Sequence, residues 1–302
     1  MGEPNGDVRP TEGVSAFEGR LLEDQREGGG TPAGCPSLFF PGCSLWASAP
    51  GLAEGSFTWL LEEGEAHAAT ALCCARILDF KQGSGALKHA LQHRLAALLC
   101  DRGVGRVVCA CPNCASELRR LFAACEEELA AARAIEVVAL PQLLARAGIR
   151  ISNGQVAQDF EEGGLSCRIA VHDSCPDRET GEFADGVRSL FPPECLVELA
   201  HNRSGSHCCG ALSNACGHTG LAARQAIDRA EEGQAAGASA LATACMSCAQ
   251  LLGALQGMLP VHHYLEFLYD CPIDWAARPY GTVPRLFLDA EGNAVELGAL
   301  LP

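Results

Sequence analysis

Long apolar runs are absent from this sequence of 302 residues. No stretch approaches the roughly 18 consecutive apolar residues that a bilayer span requires, and no basic start followed by an apolar segment indicates a signal peptide. Positive charge is also scarce: the net charge of −15 argues against a nucleic-acid partner, because an acidic surface repels phosphate. We therefore expect a cytoplasmic protein, which a partner protein could attach to a membrane complex.

Two common cofactor motifs are missing as well. The sequence has no Cys-x-x-Cys-x-x-Cys-x-x-x-Cys-Pro run of the ferredoxin type. It also has no Gly-x-Gly-x-x-Gly motif opening a strand–helix unit, which is typical of flavin and nicotinamide sites. Any electrons that this chain uses must then come from another protein.

Cysteine, in contrast, is abundant, and ten of its 18 copies follow one pattern that occurs twice. Each copy has a single cysteine, then an adjacent pair, then a Cys-x-x-Cys motif. Corresponding cysteines lie 132 to 135 residues apart, and spacing this constant predicts two similar sites on two similar halves. The first set is Cys43, Cys73, Cys74, Cys111 and Cys114, and the second set is Cys175, Cys208, Cys209, Cys245 and Cys248.

The chemistry of these thiols favours metal binding. Thiolates are soft ligands that select iron–sulfur clusters, zinc or cuprous ions, whereas adjacent cysteines are poor disulfide partners because the bridge would be strained. Five cysteines in each half exceed the four that tetrahedral zinc needs. The remaining cysteines have no counterpart at the matching offset, so we expect ordinary core residues without a metal role: Cys35, Cys100, Cys109, Cys125, Cys167, Cys195, Cys216 and Cys271.

Strands, cysteine motifs and helices alternate along both halves. Apolar stretches predict buried strands at 37–40, 106–110, 135–140, 168–172, 196–199 and 240–243. Helical apolar spacing predicts helices at 52–63, 86–101, 115–129, 221–236 and 249–258. This alternation predicts an α/β fold with two pseudo-symmetric repeats, each a parallel sheet flanked by helices. In such sheets ligands bind beyond the carboxyl ends of the strands, where the motif cysteines fall.

The same order predicts five segments along the chain. Residues 1–34 are an acidic, Gly-rich tail that we expect to be flexible. Residues 35–150 form the first repeat, 151–165 a polar, Gly-rich linker, and 166–275 the second repeat. In the C-terminal tail, 276–302, two short apolar stretches around Asp-Ala-Glu-Gly-Asn predict a hairpin.

Over residues 37 to 270 the sequence resembles the cysteine-rich CCG-domain family, whose type member is a cysteine-rich component of heterodisulfide reductase. The residues that carry the resemblance are Phe40-Pro41-Gly42-Cys43, Cys73-Cys74, Cys109-Ala110-Cys111-Pro112-Asn113-Cys114, His172-Asp173-Ser174-Cys175, Cys208-Cys209-Gly210 and Ala244-Cys245-Met246-Ser247-Cys248. Three positions depart from the family pattern without removing a ligand. Ala75 stands where the first repeat should have glycine, and Ser174 and Met246 replace common prolines.

The resemblance implies a cofactor more firmly than a substrate. In this family each complete motif can hold a noncubane [4Fe-4S] cluster, and two clusters take part in reducing a disulfide. Carried over by position, the first set of five cysteines would bind one cluster and the second set the other. Relatives also serve in glycolate, lactate and glycerol-phosphate oxidation and in quinone-linked complexes. The expected partner is a ferredoxin-like iron–sulfur subunit or a flavoprotein, and the expected substrate is a small thiol or disulfide, or a carrier.

Three functions therefore stay open from sequence. The first is an iron–sulfur oxidoreductase subunit of the heterodisulfide-reductase type, and the second is an electron-transfer subunit between a dehydrogenase and a quinone or other carrier. The third is a non-redox protein with zinc at one or both motifs. No catalytic residue is assigned. His207 could protonate a leaving thiolate or hydrogen-bond a sulfur, His172 and Asp173 are expected to orient the loop before Cys175, and His262 and His263 to be structural.

Overall fold

A computed structural model describes residues 35–152, 168–254, 257–275, 277 and 285–296. The tail predicted at 1–34, nearly all of the linker predicted at 151–165, and part of the C-terminal tail lie outside these residues. Each half contains a four-stranded parallel sheet flanked by helices, and this confirms the predicted fold class. Within the described part of the chain, every helix is too short or too polar to cross a bilayer.

The two sheets have the same strand order. In the first, β1 (Ser37–Phe40) lies between β2 (Ala68–Ala69) and β3 (Arg106–Cys109), and β4 (Glu136–Ala139) is the outer strand beside β3. In the second, β5 (Ile169–His172) lies between β6 (Leu196–Val197) and β7 (Ala240–Thr243), with β8 (Val261–His263) outermost. All of these pairings are parallel. The strands therefore run in the same direction and deliver the cysteine motifs to one edge of each sheet.

The helices connect these strands and cover their faces. The first half contains α1 (Cys43–Ser48), α2 (Pro50–Glu62), α3 (Gly85–Asp101), α4 (Pro112–Ala124) and α5 (Leu140–Arg146). The second half contains α6 (Glu182–Leu190), α7 (Ala211–Ala215), α8 (Thr219–Ala235), α9 (Met246–Gly253) and α10 (Tyr264–Tyr269). Short 3₁₀ helices lie at Arg76–Phe80, Glu127–Ala134, Cys175–Asp177, Pro193–Cys195 and Arg203–Gly205.

The two Cys-x-x-Cys motifs begin helices in the same way. Cys111 and Cys245 are the N-cap residues of α4 and α9, each with extended backbone. Proline at the first helical position suits α4, because the missing N–H would have no intrahelical acceptor there. The second cysteine of each motif therefore lies in the first turn, close to the strand end that precedes it.

The halves pack directly against each other. Helix α5 lies on α6 so closely that a Cβ atom at Gly186 would be 2.7 Å from the backbone nitrogen of Gln142. Gln250 Nε2 donates a 3.0 Å hydrogen bond to Ser48 Oγ, and Arg119 forms an ion pair with Glu182. One cluster of buried apolar side chains includes residues from both sheets. The two cysteine-bearing edges are thereby held at one interface.

A C-terminal hairpin covers part of the first half. Its strands, β9 (Leu286–Leu288) and β10 (Ala294–Glu296), pair antiparallel. The backbone N–H of Cys73 donates a 2.8 Å hydrogen bond to the carbonyl of Leu286. The Phe287 side chain is buried in a cluster with Cys73, Ala75, Leu78 and Leu91. The hairpin is thus joined to the first cysteine pair through both backbone and side chain.

Candidate metal centre

The first set of cysteines comes together at the carboxyl edge of the first sheet. Cys43 begins α1 directly after β1, the adjacent pair follows β2, and the Cys-x-x-Cys motif joins β3 to α4. The sulfurs of Cys43 and Cys73 are 3.7 Å apart. Further side-chain hydrogen bonds join Cys73 to Cys74, Cys74 to Cys114, and Cys114 to Cys111. The five side chains therefore form one continuous chain of sulfur contacts.

The second set repeats this chain of contacts in the same order. Side-chain hydrogen bonds join Cys175 to Cys208, Cys208 to Cys209, Cys209 to Cys248, and Cys248 to Cys245. Each contact has its counterpart at the matching offset in the first half. The structure thus brings together the five residues of each set that the sequence grouped by spacing.

The pKa values of the thiols indicate that the five cysteines of one set do not all ionise on their own. Hydrogen bonds from Cys114 and Cys73 hold the pKa of Cys74 well below its ordinary value. The same kind of contact, with Cys111 and Cys74, raises the pKa of Cys114 well above it, and burial raises it further. In each set, ionising one thiol keeps its neighbours protonated. All five can become thiolates together only when a cation neutralises them, so the donors fit a metal cluster.

Both sets line a single cavity of about 320 Å³. Asn113, inside the first Cys-x-x-Cys motif, reaches across it, and its Nδ2 donates to the sulfur of Cys245 at 3.4 Å. Four arginines also line the cavity although the chain as a whole is acidic: Arg76, Arg120, Arg178 and Arg285. The two sites therefore share one solvent-connected space with cationic side chains around it.

Three small residues next to motif cysteines have a positive φ angle: Gly42, Ala75 and Gly210. Gly42 has φ +87°, and a Cβ atom there would lie 3.1 Å from the Cys114 sulfur. Gly210 has φ +95°, and its Cβ would be 2.5 Å from the carbonyl oxygen of Ala222. Ala75, the departure from the family pattern, adopts the left-handed conformation with φ +66° and is buried. The first pair thus keeps the backbone turn that glycine usually provides, at an expense of roughly 1 kcal/mol.

The second site has a buried histidine beside its sulfurs. An imidazole nitrogen of His172 lies within 4.8 Å of the sulfurs of Cys209 and Cys248. Nδ1 accepts a 2.9 Å hydrogen bond from Arg229 Nε. Burial, with the Arg229 charge, lowers the pKa of His172 to about 3, so the ring is neutral. Nε2 is buried and has no hydrogen-bond partner among the described residues, which is expected of a donor facing a group that binds in the site.

Asp173 holds the loop that leads to the second cysteine pair. Its carboxylate receives two hydrogen bonds from Arg188, at 2.6 and 3.0 Å, and one from the backbone N–H of Arg203 at 2.6 Å. Its carbonyl accepts from the hydroxyl of Ser206 at 2.7 Å. Asp173 therefore positions the segment before Cys208, in addition to preceding Cys175 in the sequence.

The first half has a different polar network. Glu117 is buried, and its carboxylate accepts from Gln92 at 2.8 Å, from Arg76 at 3.2 Å and from Lys88. Gln92 also donates to the backbone carbonyl of Cys74 at 3.2 Å. Through Gln92, this network contacts the backbone of the first cysteine pair and not its sulfurs, whereas His172 lies beside the sulfurs of the second site.

The cysteines outside the two sets differ in burial. Cys109, Cys125 and Cys195 are buried and Cys35 and Cys100 partly buried, but Cys216 and Cys271 are exposed, so the expectation of core positions was wrong for those two. Cys167 lies outside the described residues.

The remaining histidines are outside the cysteine sites. His207 is exposed, and its ring stacks on that of His201 with centroids 3.7 Å apart. His263 caps α10 together with Glu266, and His262 Nδ1 lies 3.3 Å from a Glu266 oxygen. The structural role expected for both histidines agrees with these contacts.

Sequence reasoning also missed Arg229, Asn113 and Arg188 as parts of the site. Of these three residues, only Asn113 could have been identified from the sequence, because it lies inside a Cys-x-x-Cys motif. Arg229 is 57 residues from His172 in the sequence, and only the packing of α8 against β5 reveals their contact.

A family model described as the cysteine-rich domain, CCG, matches the chain twice, over residues 37–119 and 169–253. Together the two matches cover more than half of the sequence. CCG cysteine-rich domains are associated with iron–sulfur redox proteins. No curated protein matches the chain.

The solved structures that align with this chain are only distantly similar to it. Glutamate racemase isoform RacE1 from Bacillus anthracis aligns over 78% of this chain and 79% of its own, with 12% identity and a TM-score of 0.36. An aspartate racemase homologue from Pyrococcus horikoshii aligns over 77% of this chain and 95% of its own, with 9% identity and a TM-score of 0.28. TM-scores this low carry no argument about function.

Proposed function

The chain belongs to the CCG cysteine-rich domain family, and from that premise we propose that it is an iron–sulfur oxidoreductase subunit of the heterodisulfide-reductase type. It would pass electrons through two [4Fe-4S] clusters to a thiol/disulfide substrate. The observation that carries this proposal is the single cavity lined by all ten motif cysteines. A substrate that enters this cavity meets both sites at once.

The ten motif cysteines would hold the clusters, five in each half. Their matched chains of sulfur contacts support equivalent ligand sets, and the buried thiols need a cation to ionise together. Bound clusters supply one-electron transfer at potentials that the surrounding protein tunes. Zinc at one set is the alternative, but tetrahedral zinc would leave one of the five thiols without a metal.

The shared cavity also favours a disulfide-reducing subunit over a subunit that only transfers electrons. A relay that only passes electrons between a dehydrogenase and a quinone needs cluster edges near partner surfaces, and it needs no space between the two sites. Here both sites open into the same space, with four arginines among its lining residues. Arg76 is paired with Asp79 and Glu117, but the other three arginines outnumber the one acidic lining residue, Glu179, and favour an anionic substrate. Arginine is well suited to bind carboxylate or phosphate groups.

Disulfide reduction requires a source of electrons and a binding site for the substrate. Reduction of a disulfide breaks one S–S bond, consumes two electrons and two protons, and releases two thiols. Because the sequence carries no ferredoxin-type or dinucleotide-binding motif, the electrons would come from a separate iron–sulfur subunit or flavoprotein. The chain's own residues bind the clusters, admit the substrate between them and orient its anionic groups through arginine.

The test begins with the chain purified without oxygen and supplied with iron and sulfide. We expect about eight iron atoms and eight sulfides per chain, four of each for every cluster. The loaded protein is then mixed with a reduced viologen dye and an asymmetric disulfide that bears carboxylates. We expect dye oxidation that depends on the disulfide, and none with the matching thioether, which has no S–S bond to cleave.

Other outcomes would identify the competing functions. Loaded clusters with no disulfide-dependent oxidation, but with dye-to-quinone electron transfer, would favour the relay. Zinc without sulfide would exclude both redox functions.

A further inference from the structure

Two side chains approach the sulfurs of the second site from outside its own cysteine set. Asn113 belongs to the first half, and its Nδ2 donates across the interface to the Cys245 sulfur at 3.4 Å. His172 ends the central strand β5 and lies within 4.8 Å of the Cys209 and Cys248 sulfurs. Asn113 contacts Cys245 and His172 lies near Cys209 and Cys248, so the two side chains adjoin three of the five cysteines of the second set.

The hydrogen bonding of His172 fixes which of its nitrogens can donate. A guanidinium nitrogen always carries hydrogen, so the bond from Arg229 Nε makes Nδ1 the acceptor. In the neutral ring the proton is then on Nε2. This N–H has no partner among the described residues, and the ring is 1% exposed, so water does not satisfy it. Since Nε2 makes no hydrogen bond to any described residue, the donor is used only when the site is filled.

The equivalent positions in the first half carry no such donors. Phe40 ends β1 at the position that His172 has in β5, and its apolar ring is fully buried. Ser247 occupies the place of Asn113 in the second Cys-x-x-Cys motif, and it has no described hydrogen bond to a sulfur of the first set. The repeat therefore preserves the ligands and changes the groups that touch them.

The charges near the first site do not replace these donors. Lys88 forms ion pairs with Asp79 and Glu117, so its field is largely neutralised. Arg285 and the Ser44 side chain lower the pKa of Cys43, but both residues are partly exposed, so water screens the charge of the first and competes with the hydrogen bond of the second. Arg229, at the second site, is fully buried and supports His172 directly.

We infer that Asn113 and His172 are positioning residues that donate hydrogen bonds to sulfur at the second site only, which raises the reduction potential of its cluster above that of the first. The physical reason is that a donor stabilises the extra negative charge of a reduced cluster. Of the two bound clusters, the second would then accept an electron more readily. This inference rests on the proposed function, because it requires a cluster in each half.

The test measures midpoint potentials, independently of activity. Protein loaded without oxygen is titrated with redox mediators, and each reduction step is followed by electron paramagnetic resonance. Two single-site backgrounds assign the steps: Cys74→Ser leaves the second cluster, and Cys209→Ser leaves the first. We expect the cluster retained in Cys74→Ser to have the higher potential.

Removing the donors should shift only the second cluster. In the Cys74→Ser background, Asn113→Ala and His172→Phe should each lower the midpoint potential. In the Cys209→Ser background, the matched change Ser247→Ala should leave it unchanged. His172→Phe copies the residue at the equivalent position, but it leaves Arg229 without an acceptor. Asn113→Ala, at a partly buried position, provides the test if that variant fails to fold.

The outcomes separate this inference from the function on which it rests. Two bound clusters with equal potentials, or potentials that neither variant shifts, would overturn the inference and leave the function standing. Loss of second-site iron in His172→Phe alone would make His172 a ligand, which also overturns it. Absence of iron and sulfide from the unsubstituted chain would reject the function itself.

Discussion

The two cysteine sites have the same ligand pattern and different surroundings. In the first, an apolar cluster containing Phe287 packs against Cys73, and the neutral amide of Gln92 donates to the carbonyl of Cys74 and to the buried carboxylate of Glu117. In the second, a neutral histidine faces the sulfurs and a buried Asp173–Arg188 ion pair fixes the adjoining loop. Sequence repeats can thus preserve the geometry of a site while its polar environment diverges.

The difference arises at positions next to the motif cysteines. His172 and Phe40 occupy matching positions in the two halves, as do Asn113 and Ser247, but the side chains differ. A pair of sites built from one pattern can in this way receive different redox properties without changing a ligand.

The largest expected effect comes from removing one ligand from either site. Cys209→Ser should lose about half of the bound iron, since a hydroxyl is a poorer ligand than a thiolate for soft iron, and Cys74→Ser should lose the other half. Cys216→Ser is the matched control, because Cys216 is exposed and outside both sets. Iron and sulfide are measured on anaerobic samples. Equal losses in Cys209→Ser and Cys216→Ser would show that the wrong cysteines have been chosen.

The second expected effect concerns the buried ion pair of the second half. Arg188→Met leaves Asp173 buried without its guanidinium partner, and it should destabilise the protein by about 3–5 kcal/mol. Arg224→Met removes an exposed pair with Asp228 and should change stability by less than about 0.5 kcal/mol. Urea unfolding measures both. Similar values for the two variants would mean that the second half does not depend on this pair.

Acid should reproduce part of the Arg188→Met effect. Burial opposes ionisation of Asp173, but the Arg188 hydrogen bonds and charge hold its pKa below the ordinary value. The pair's contribution is therefore complete above the unfolded pKa of about 3.9 and is lost as pH falls through the lower folded pKa. Urea unfolding of the unsubstituted protein across that pH range measures this loss, and Arg188→Met should show a weaker dependence on pH there.

The last comparison concerns the residues that follow the two cysteine pairs, Gly210 and Ala75, where the expected effects on stability have opposite signs. Gly210→Ala places a Cβ atom 2.5 Å from a backbone oxygen at φ +95°, and it should destabilise the protein by about 3 kcal/mol. The reciprocal change, Ala75→Gly, should stabilise it by about 0.5 kcal/mol, because relief of the left-handed strain slightly exceeds the added entropy of the unfolded chain. Thermal or urea unfolding of both variants gives the signs. Destabilisation by Ala75→Gly would show that the first turn is not strained.

Much of the fold follows from patterns that the sequence displays directly. Strands β1 and β7 coincide with the predicted ranges, because all four residues of each strand are buried and three of the four are apolar. Helices α3 and α8 match their predictions within one or two residues. Helix α6 was missed although Phe183, Val187 and Leu190 have helical spacing, since its charged residues interrupt the apolar pattern.

The cysteine sets were predictable because the spacing of the motifs in the sequence and the shared direction of the parallel strands place them at the same sheet edge. The contacts that distinguish the sites were not predictable in this way. Asn113 and Cys245 are 132 residues apart, and His172 and Arg229 are 57 apart. Each pair depends on how a helix or a whole half packs, which local periodicity does not encode.

The C-terminal hairpin has a consequence for the order in which the protein is built. Phe287 and the Leu286 carbonyl lie against Cys73, yet they follow every motif cysteine in the chain. Because translation proceeds from the N-terminus and domains fold as they emerge, both thiol sets leave the ribosome before the segment that covers the first one. The hairpin segment that covers the first set is therefore synthesised after both sets of thiols.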